Sequence, residues 1–297
     1  MSVHRRPAFV LRALALASVA LTMACGDDTS GANGTVALPP GFGQPPAEDV
    51  APPPRVPFSP ETRRYGVRVL ASHPHDPQAF TQGLDVYEGT LFESTGQEGR
   101  SSVRHVDLRT GRVLRRADLP YPLFGEGIAV LDGRVYQLTW KSQRGFVYDA
   151  ATLAPVDSFT YTGEGWGLAT DGTKLYMSDG TATVRVVDPA GFRTERTFQV
   201  TEAGRPVYYL NELEWVDGEL WANIWMTDWV ARIDPATGQV TGWIDLSGLL
   251  TSAERTGPTG QALVDVTNGI AYDAATRRLL VTGKLWPRIF EVEVVGK

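Results

Sequence analysis

One cysteine, Cys25, is all the thiol chemistry in a chain of 297 residues, so no internal disulfide can hold the fold and thiol catalysis has no candidate. Histidine is scarce too, with four copies. The formal net charge is −6 and no Lys/Arg run follows the first few residues, which leaves no footprint for the phosphates of nucleic acid. No GxSxG elbow is present, so Ser-His-Asp hydrolysis has no nucleophile. From Tyr65 onward there is no helical period. The one long apolar run, from about Ala8 to Ala24, follows Arg5 and Arg6 and is interrupted by Arg12, which is weak for a membrane-spanning helix and reads as an export signal.

That signal sets the expected organisation. Ala24 immediately before Cys25 resembles a bacterial lipoprotein cleavage site, although Leu21 stands one residue further from the cysteine than usual. Residues 1–25 are therefore expected to be a signal peptide ending in a lipidated Cys25, with an ordinary secretory signal as the plainer alternative. Residues 26–63 are dominated by Gly, Pro, Ala and polar residues and are expected to be a disordered tether. Residues 64–297 form the folded domain, placed in the cell envelope and touching a membrane only through its anchor.

What is present is repetition. Short alternating apolar runs are separated by Glu88-Gly89, Asp132-Gly133, Asp171-Gly172 and Asp217-Gly218, the turn chemistry of hairpins. Five segments align: FTQGLDVYEGTLFEST, FGEGIAVLDGRVYQLTW, EGWGLATDGTKLYMSDG, LNELEWVDGELWANIW and VTNGIAYDAATRRLLVTGK. Their shared aliphatics, Leu84, Ile128, Leu168, Leu213 and Ile270, recur about every 40–45 residues until a longer last interval, the period of a four-stranded propeller blade. The expected fold is all-β, a five-bladed β-propeller. Its fifth blade runs out of chain near Val294 and is completed by YGVRVLAS at 65–72, with a loop at about 247–263.

Equivalent positions of a propeller form rings about its axis, so the repeat also locates a site. Two residues before each aligned aliphatic stand Gln82, Glu126, Trp166, Asn211 and Asn268, and where the second strands emerge stand Glu93, Trp140, Ser178, Trp225 and Lys284. If both sets share one face, carboxylates, amides, an ammonium and three indoles meet at one mouth. Gly125 and Gly127 would let backbone and ligand come close to Glu126. Blander readings stand beside this one: Trp166 and Trp225 as packing between blades, Glu126 as a solvated loop acid, Lys284 on the surface. Trp215, Trp221, Trp229, Trp243 and Trp286 are assigned to packing or surface. GEGWGL at 163–168 is taken as turn glycines, since no helix follows it. His73 and His75 beside Asp76 suggest a metal site only weakly.

The motifs AFTQGL, LFGEGIAVL, QLTWK, GEGWGL, LNELEW, ANIW, TNGIAYD and TGKLWP, in order between Val67 and Glu293, resemble the plant and bacterial type of glutaminyl-peptide cyclotransferase. The resemblance implies a five-bladed propeller enzyme that converts the N-terminal glutamine of peptides or proteins to pyroglutamate and releases ammonia without a catalytic metal. Carried over by position, it implies a pocket of Phe80, Gln82, Phe124, Glu126, Trp140, Trp166, Asn211, Trp225 and Lys284, with Glu126 the essential acid. The Pro-rich tether and lipid anchor depart from the family pattern.

The chemistry suits these residue types. The substrate's α-amine must attack its own γ-carboxamide, so one acid can take a proton from the amine and return it to the departing nitrogen. Glu126 is the candidate for that transfer. Gln82, Asn211 or Lys284 would orient the carboxamide and its developing oxyanion. Phe80, Phe124, Trp140, Trp166 and Trp225 would bind the substrate and exclude water. No cofactor is needed for catalysis, a structural calcium held by backbone carbonyls in the channel is compatible with this reading, and a monomer is expected. Two rivals stay open: a metal-dependent propeller lactonase or hydrolase using Glu126, Asn211 and Asn268 as ligands, and a non-catalytic envelope scaffold, which calls for a broad apolar patch.

Overall fold

The computed structural model describes residues 56–256 and 260–297. The signal segment, Cys25 and most of the tether lie outside the described residues. Almost everything described is strand or turn. After β1 (Arg63–Pro74) the chain makes a first antiparallel meander of β2 (Thr81–Tyr87), β3 (Thr90–Thr95), β4 (Ser102–Asp107) and β5 (Arg112–Asp118). A second comprises β6 (Gly125–Leu131), β7 (Arg134–Thr139), β8 (Arg144–Asp149) and β9 (Pro155–Thr160). A third comprises β10 (Leu168–Thr170), β11 (Leu175–Met177), β12 (Thr183–Asp188) and β13 (Arg193–Gln199). A two-stranded ribbon, β14 (Thr201–Glu202) and β15 (Arg205–Pro206), precedes the fourth, β16 (Leu210–Val216), β17 (Glu219–Ile224), β18 (Trp229–Ile233) and β19 (Val240–Asp245). The last comprises β20 (Thr267–Asp273), β21 (Arg278–Gly283) and β22 (Arg288–Gly296).

The N-terminal strand completes that last unit. β1 pairs antiparallel with β22, Val67 opposite Val294 and Phe290 opposite Ser72. Its first residues also pair in parallel with β19, Arg64 opposite Trp243, so the fourth and last units merge into one eight-stranded sheet. The first strands of the units touch in a closed circuit: β2 with β6, β6 with β10, β10 with β16, β16 with β20 and β20 with β2. The aligned aliphatics sit between these units, and all five are at most 1% exposed. Full burial of each contributes about 1.5–3 kcal/mol.

The apolar core is correspondingly divided. Leu84, Leu91, Ala271 and Leu280 cluster between the first and last units, Phe92, Ile128 and Val135 between the first and second, and Leu138, Leu168 and Leu175 between the second and third. Tyr176, Leu213 and Trp243 join the third to the fourth, and Trp221, Ile270 and Trp286 the fourth to the last. Trp215 packs at 5.0 Å on Tyr176.

Local turn chemistry follows the sequence in most places. Glu88-Gly89, Asp132-Gly133 and Asp217-Gly218 all have positive φ at both residues, the type I′ geometry that matches strand twist. Asp171-Gly172 differs: Asp171 Oδ1 instead accepts the backbone N–H groups of Thr173 and Lys174 in a wider turn. Two expectations need correction. The insertion read as a loop contains α1 (Ser252–Arg255), started by a Thr251/Glu254 capping box, which satisfies N-terminal N–H groups that an isolated single turn leaves open. The stretch 56–62, read as the end of the tether, packs on the domain. Phe58 meets Trp229 and Trp243 edge-on at 4.7 and 5.4 Å, and the Ser59 N–H donates to Glu202 at 2.8 Å. One aromatic residue with two aromatic partners outweighs a proline-rich composition.

Candidate active site

Four of the five first-ring positions lie where an inner strand slips register with its neighbour. The shifts fall between Thr81 and Gly83, Gly125 and Ile128, Leu210 and Leu213, and Thr267 and Ile270. Gln82, Glu126, Asn211 and Asn268 are among the residues these irregularities release from pairing, and such a bulge re-aims a side chain. The fifth, Trp166, precedes β10 and is held by its N–H on the Ser178 carbonyl at 3.0 Å.

The glycines beside Glu126 admit the close backbone approach expected of them. A Cβ on Gly127 would lie 2.6 Å from both the Leu168 nitrogen and the Trp166 oxygen, and one on Gly125 would lie 2.8 Å from Gln137 Nε2 and 2.9 Å from the Thr95 carbonyl. The Gly127 N–H in fact donates to the Trp166 carbonyl at 2.7 Å. These glycines let inner strands approach one another, and the close approach fixes where Glu126 points.

Glu126 is buried, and Gln82 Nε2 donates to its Oε1 at 3.0 Å. Gln82 Oε1 accepts from Asn268 Nδ2 at 3.2 Å, and the same amide donates to the Thr81 carbonyl at 3.0 Å. Both ends of Gln82 are therefore committed. Burial pushes the Glu126 carboxyl well above the usual carboxylate range, Lys284 draws it down, and Glu164 raises it. Burial likewise lowers the Lys284 ammonium, against the pull of Glu126 and Asp265. The acid thus holds its proton readily while the lysine gives its proton up more easily than usual. Lys284 Nζ lies 4.9 Å from the centre of the Phe80 ring.

The aromatic residues form the surround. Phe80 meets Phe124 edge-on at 6.1 Å, and Phe124 meets Trp140 at 5.7 Å. Trp166 meets Trp225 at 5.6 Å, and Tyr209 backs Trp225 at 6.0 Å. All five aromatics of the sequence reading are half-buried. Asn211 is buried, with its carbonyl accepting from Ser178 Oγ at 2.7 Å.

The structure separates two residues from this group. Glu93 is not at the mouth: it is 1% exposed and accepts from Thr81 Oγ1 at 2.9 Å and pairs with His75 Nε2 at 2.8 Å. Burial opposes charge on both, yet Glu93 stays below its ordinary value and His75 above it because each holds the other's charged form. His75 Nδ1 is spent on the Trp286 carbonyl at 2.7 Å, so both ring nitrogens are engaged by protein. Ser178 bonds backbone, its Oγ also accepting from the Gly167 N–H at 2.7 Å.

Four acids escaped sequence reasoning. Glu164 Oε2 accepts from both Trp140 Nε1 and Trp166 Nε1, at 2.7 and 2.9 Å; the second GEG of the sequence was its only signal. Glu212 stands where the other inner strands carry Gly83, Gly127, Gly167 and Gly269. Its carboxyl accepts from the Leu84 N–H at 3.3 Å and the Ile270 N–H at 2.9 Å, reaching two other strands. Beside it, Glu214 accepts from the Tyr272 N–H and Asp85 from the Val130 N–H. Burial raises Glu212 and Glu214 well above the carboxylate range and Asp85 to about 6. Among the described residues no group of three or more Asp, Glu, His or Cys side chains is arranged to hold a metal.

A family model described as glutamine cyclotransferase matches residues 47–294. A glutaminyl-peptide cyclotransferase of Arabidopsis thaliana is 48% identical over 233 residues, covering 77% of this chain and 71% of the relative. The crystal structure of Myxococcus xanthus glutaminyl cyclase matches with a TM-score of 0.70 and 37% identity, covering 80% of this chain and 100% of that one.

Proposed function

This chain belongs to the glutamine cyclotransferase family, and from that premise we propose that it is a glutaminyl-peptide cyclotransferase: it closes the N-terminal glutamine of peptides or proteins to pyroglutamate and releases ammonia. The observation that carries the reading is Glu126, a buried acid with a raised pKa, donated to by Gln82 inside an aromatic surround that also holds Lys284. We read the five four-stranded units as the blades of one five-bladed propeller, supported by the closed circuit of inner strands.

In the reaction the α-amine nitrogen bonds to the γ-carboxamide carbon and the bond from that carbon to the amide nitrogen breaks. Glu126 takes a proton from the α-nitrogen as the new bond forms and gives it to the departing nitrogen, so the acid ends as it began. Since both ends of Gln82 are bonded to protein, its part is to aim Glu126. The Asn211 amide and the Lys284 ammonium remain to orient the carboxamide and meet the charge on its oxygen. Phe80, Phe124, Trp140, Trp166 and Trp225 hold the glutaminyl chain in the folded conformer that cyclisation requires and keep water out. No step depends on a metal, and a structural calcium would rest on backbone carbonyls of the channel.

Export, with lipidation at Cys25 anchoring a monomeric domain in the envelope, completes the proposal, supported by the apolar run and Ala24-Cys25. Globomycin-sensitive processing and a lipid mass on the N-terminal peptide test it. The activity is tested by ammonia release from a Gln-initiated peptide with a chelator present, beside its Glu-initiated twin. Chelator-resistant release from the first alone is expected; release abolished by chelator would favour a metal hydrolase, and none from a folded protein would overturn the reading.

A further inference from the structure

The aromatic surround falls into two runs joined by one polar contact. Phe80, Phe124 and Trp140 form one run, and Trp166, Trp225 and Tyr209 the other. Among the described residues no ring contact joins Trp140 to Trp166. What joins them is Glu164, a single carboxylate oxygen of which lies 2.7 Å from one indole nitrogen and 2.9 Å from the other. Indole N–H is a donor without acceptor capacity, so both rings are turned edge-on toward that oxygen. The two tryptophans come from different units, Trp140 from the end of β7 and Trp166 from the approach to β10, and the Gly165 N–H ties the segment to the Trp140 carbonyl at 3.0 Å. Lys141 Nζ sits 3.9 Å from the Trp140 ring centre, so that indole is held on its face and at its edge. No cation forms an ion pair with Glu164 among the described residues, and the acid is half-buried. An acid with no ionic partner, spent on two rings of the same site, is placed to hold those rings.

We propose that Glu164 is a positioning residue of the cyclisation site: one carboxylate oxygen, shared by both indole N–H groups, fixes the separation and tilt of Trp140 and Trp166, the walls between which the glutaminyl side chain folds. The inference rests on the cyclotransferase reading for its consequence in catalysis, but not for the contact itself. Ring closure needs the amine within attack distance of the carboxamide carbon, and walls free to swing would widen the set of bound conformers.

The test compares Glu164→Gln, which keeps an acceptor oxygen, with Glu164→Leu, which has none. The Gln variant is expected to retain kcat/KM within about threefold, and the Leu variant to lose at least about tenfold with KM rising. A Leu variant within threefold of wild type, or a Gln variant as impaired as the Leu one, would overturn the proposal. Should Glu164→Leu fail to fold, a double-mutant cycle of Glu164→Gln with Trp140→Phe decides: non-additive losses are expected, and strict additivity would overturn it. A readout independent of activity keeps the two readings apart. With [15N]tryptophan, the Nε1–H signals missing from Trp140→Phe and Trp166→Phe identify the two indoles, and both must move in Glu164→Leu. If they move and wild type does not cyclise, the contact stands and the enzymatic reading fails; if neither moves, the positioning role is wrong.

Discussion

Gln82 Nε2 donates to Glu126 Oε1 at 3.0 Å across two neighbouring inner strands, and the same amide's oxygen is bonded to Asn268 from a third. The acid is thereby aimed by a chain of amides that begins on β20, the inner strand that touches β2 on its other side. Gln82→Leu would remove the aim while leaving Glu126 in place. It should lower kcat about 10–100-fold, the equivalent of losing one buried hydrogen bond worth about 1–3 kcal/mol. Steady-state kinetics on a Gln-initiated peptide check this, and an unchanged kcat would mean that Gln82 does not orient the acid.

Lys284 and Glu126 should be coupled through their charges. The lysine holds the buried carboxyl down, so Lys284→Met should move the acidic limb of kcat/KM to higher pH. Activity that needs ionised Glu126 rises as pH passes its raised pKa, and removing the cation raises that pKa further. A limb that stays put would separate the two groups.

The carboxyl of Asp85, close enough to Glu212 to raise it, should leave a mark on stability. Asp85 has its folded-state pKa raised from 3.8 to about 6 by burial. A raised value means that the folded state binds the proton more tightly, so this contribution is complete below about pH 4 and lost as pH rises through about 6. It amounts to about 3 kcal/mol. Asp85→Asn should flatten the fall in stability between those pH values, as measured by urea unfolding across pH. An unchanged slope would contradict the assignment.

Phe58 should matter although it lies in sequence that reads as tether. Phe58→Ala removes two edge-on contacts with Trp229 and Trp243, worth about 0.5–1.5 kcal/mol each. A loss of about 2 kcal/mol in denaturant unfolding is expected, with no change in KM.

How much of this was legible depended on whether a feature repeats. The aligned aliphatics, the turn glycines and the missing strand supplied by residues 65–72 all follow from periodicity, and β1 pairs with β22 along that stretch. Glu126 stood out because the repeat places it at the start of an inner strand. Glu164 did not, because its role exists only where two indoles from different units meet. Glu93 occupies a repeat position yet turns inward to His75, a choice made by a partner that stands just ahead of the first aligned segment. Glu212 fills a place that is glycine elsewhere, and only three-dimensional structure shows the two backbone N–H groups it serves. At the N-terminal edge, composition concealed a single anchoring ring.

The most direct measurement is mass spectrometry of a Gln-initiated peptide incubated with the purified protein, wild type beside Glu126→Gln. The account predicts that wild type removes one ammonia from the peptide while the variant, still folded, is slower by about 10²–10⁴-fold. A peptide left unchanged by folded wild type, or a variant that cyclises it at the wild-type rate, would contradict the assignment of this chemistry to Glu126.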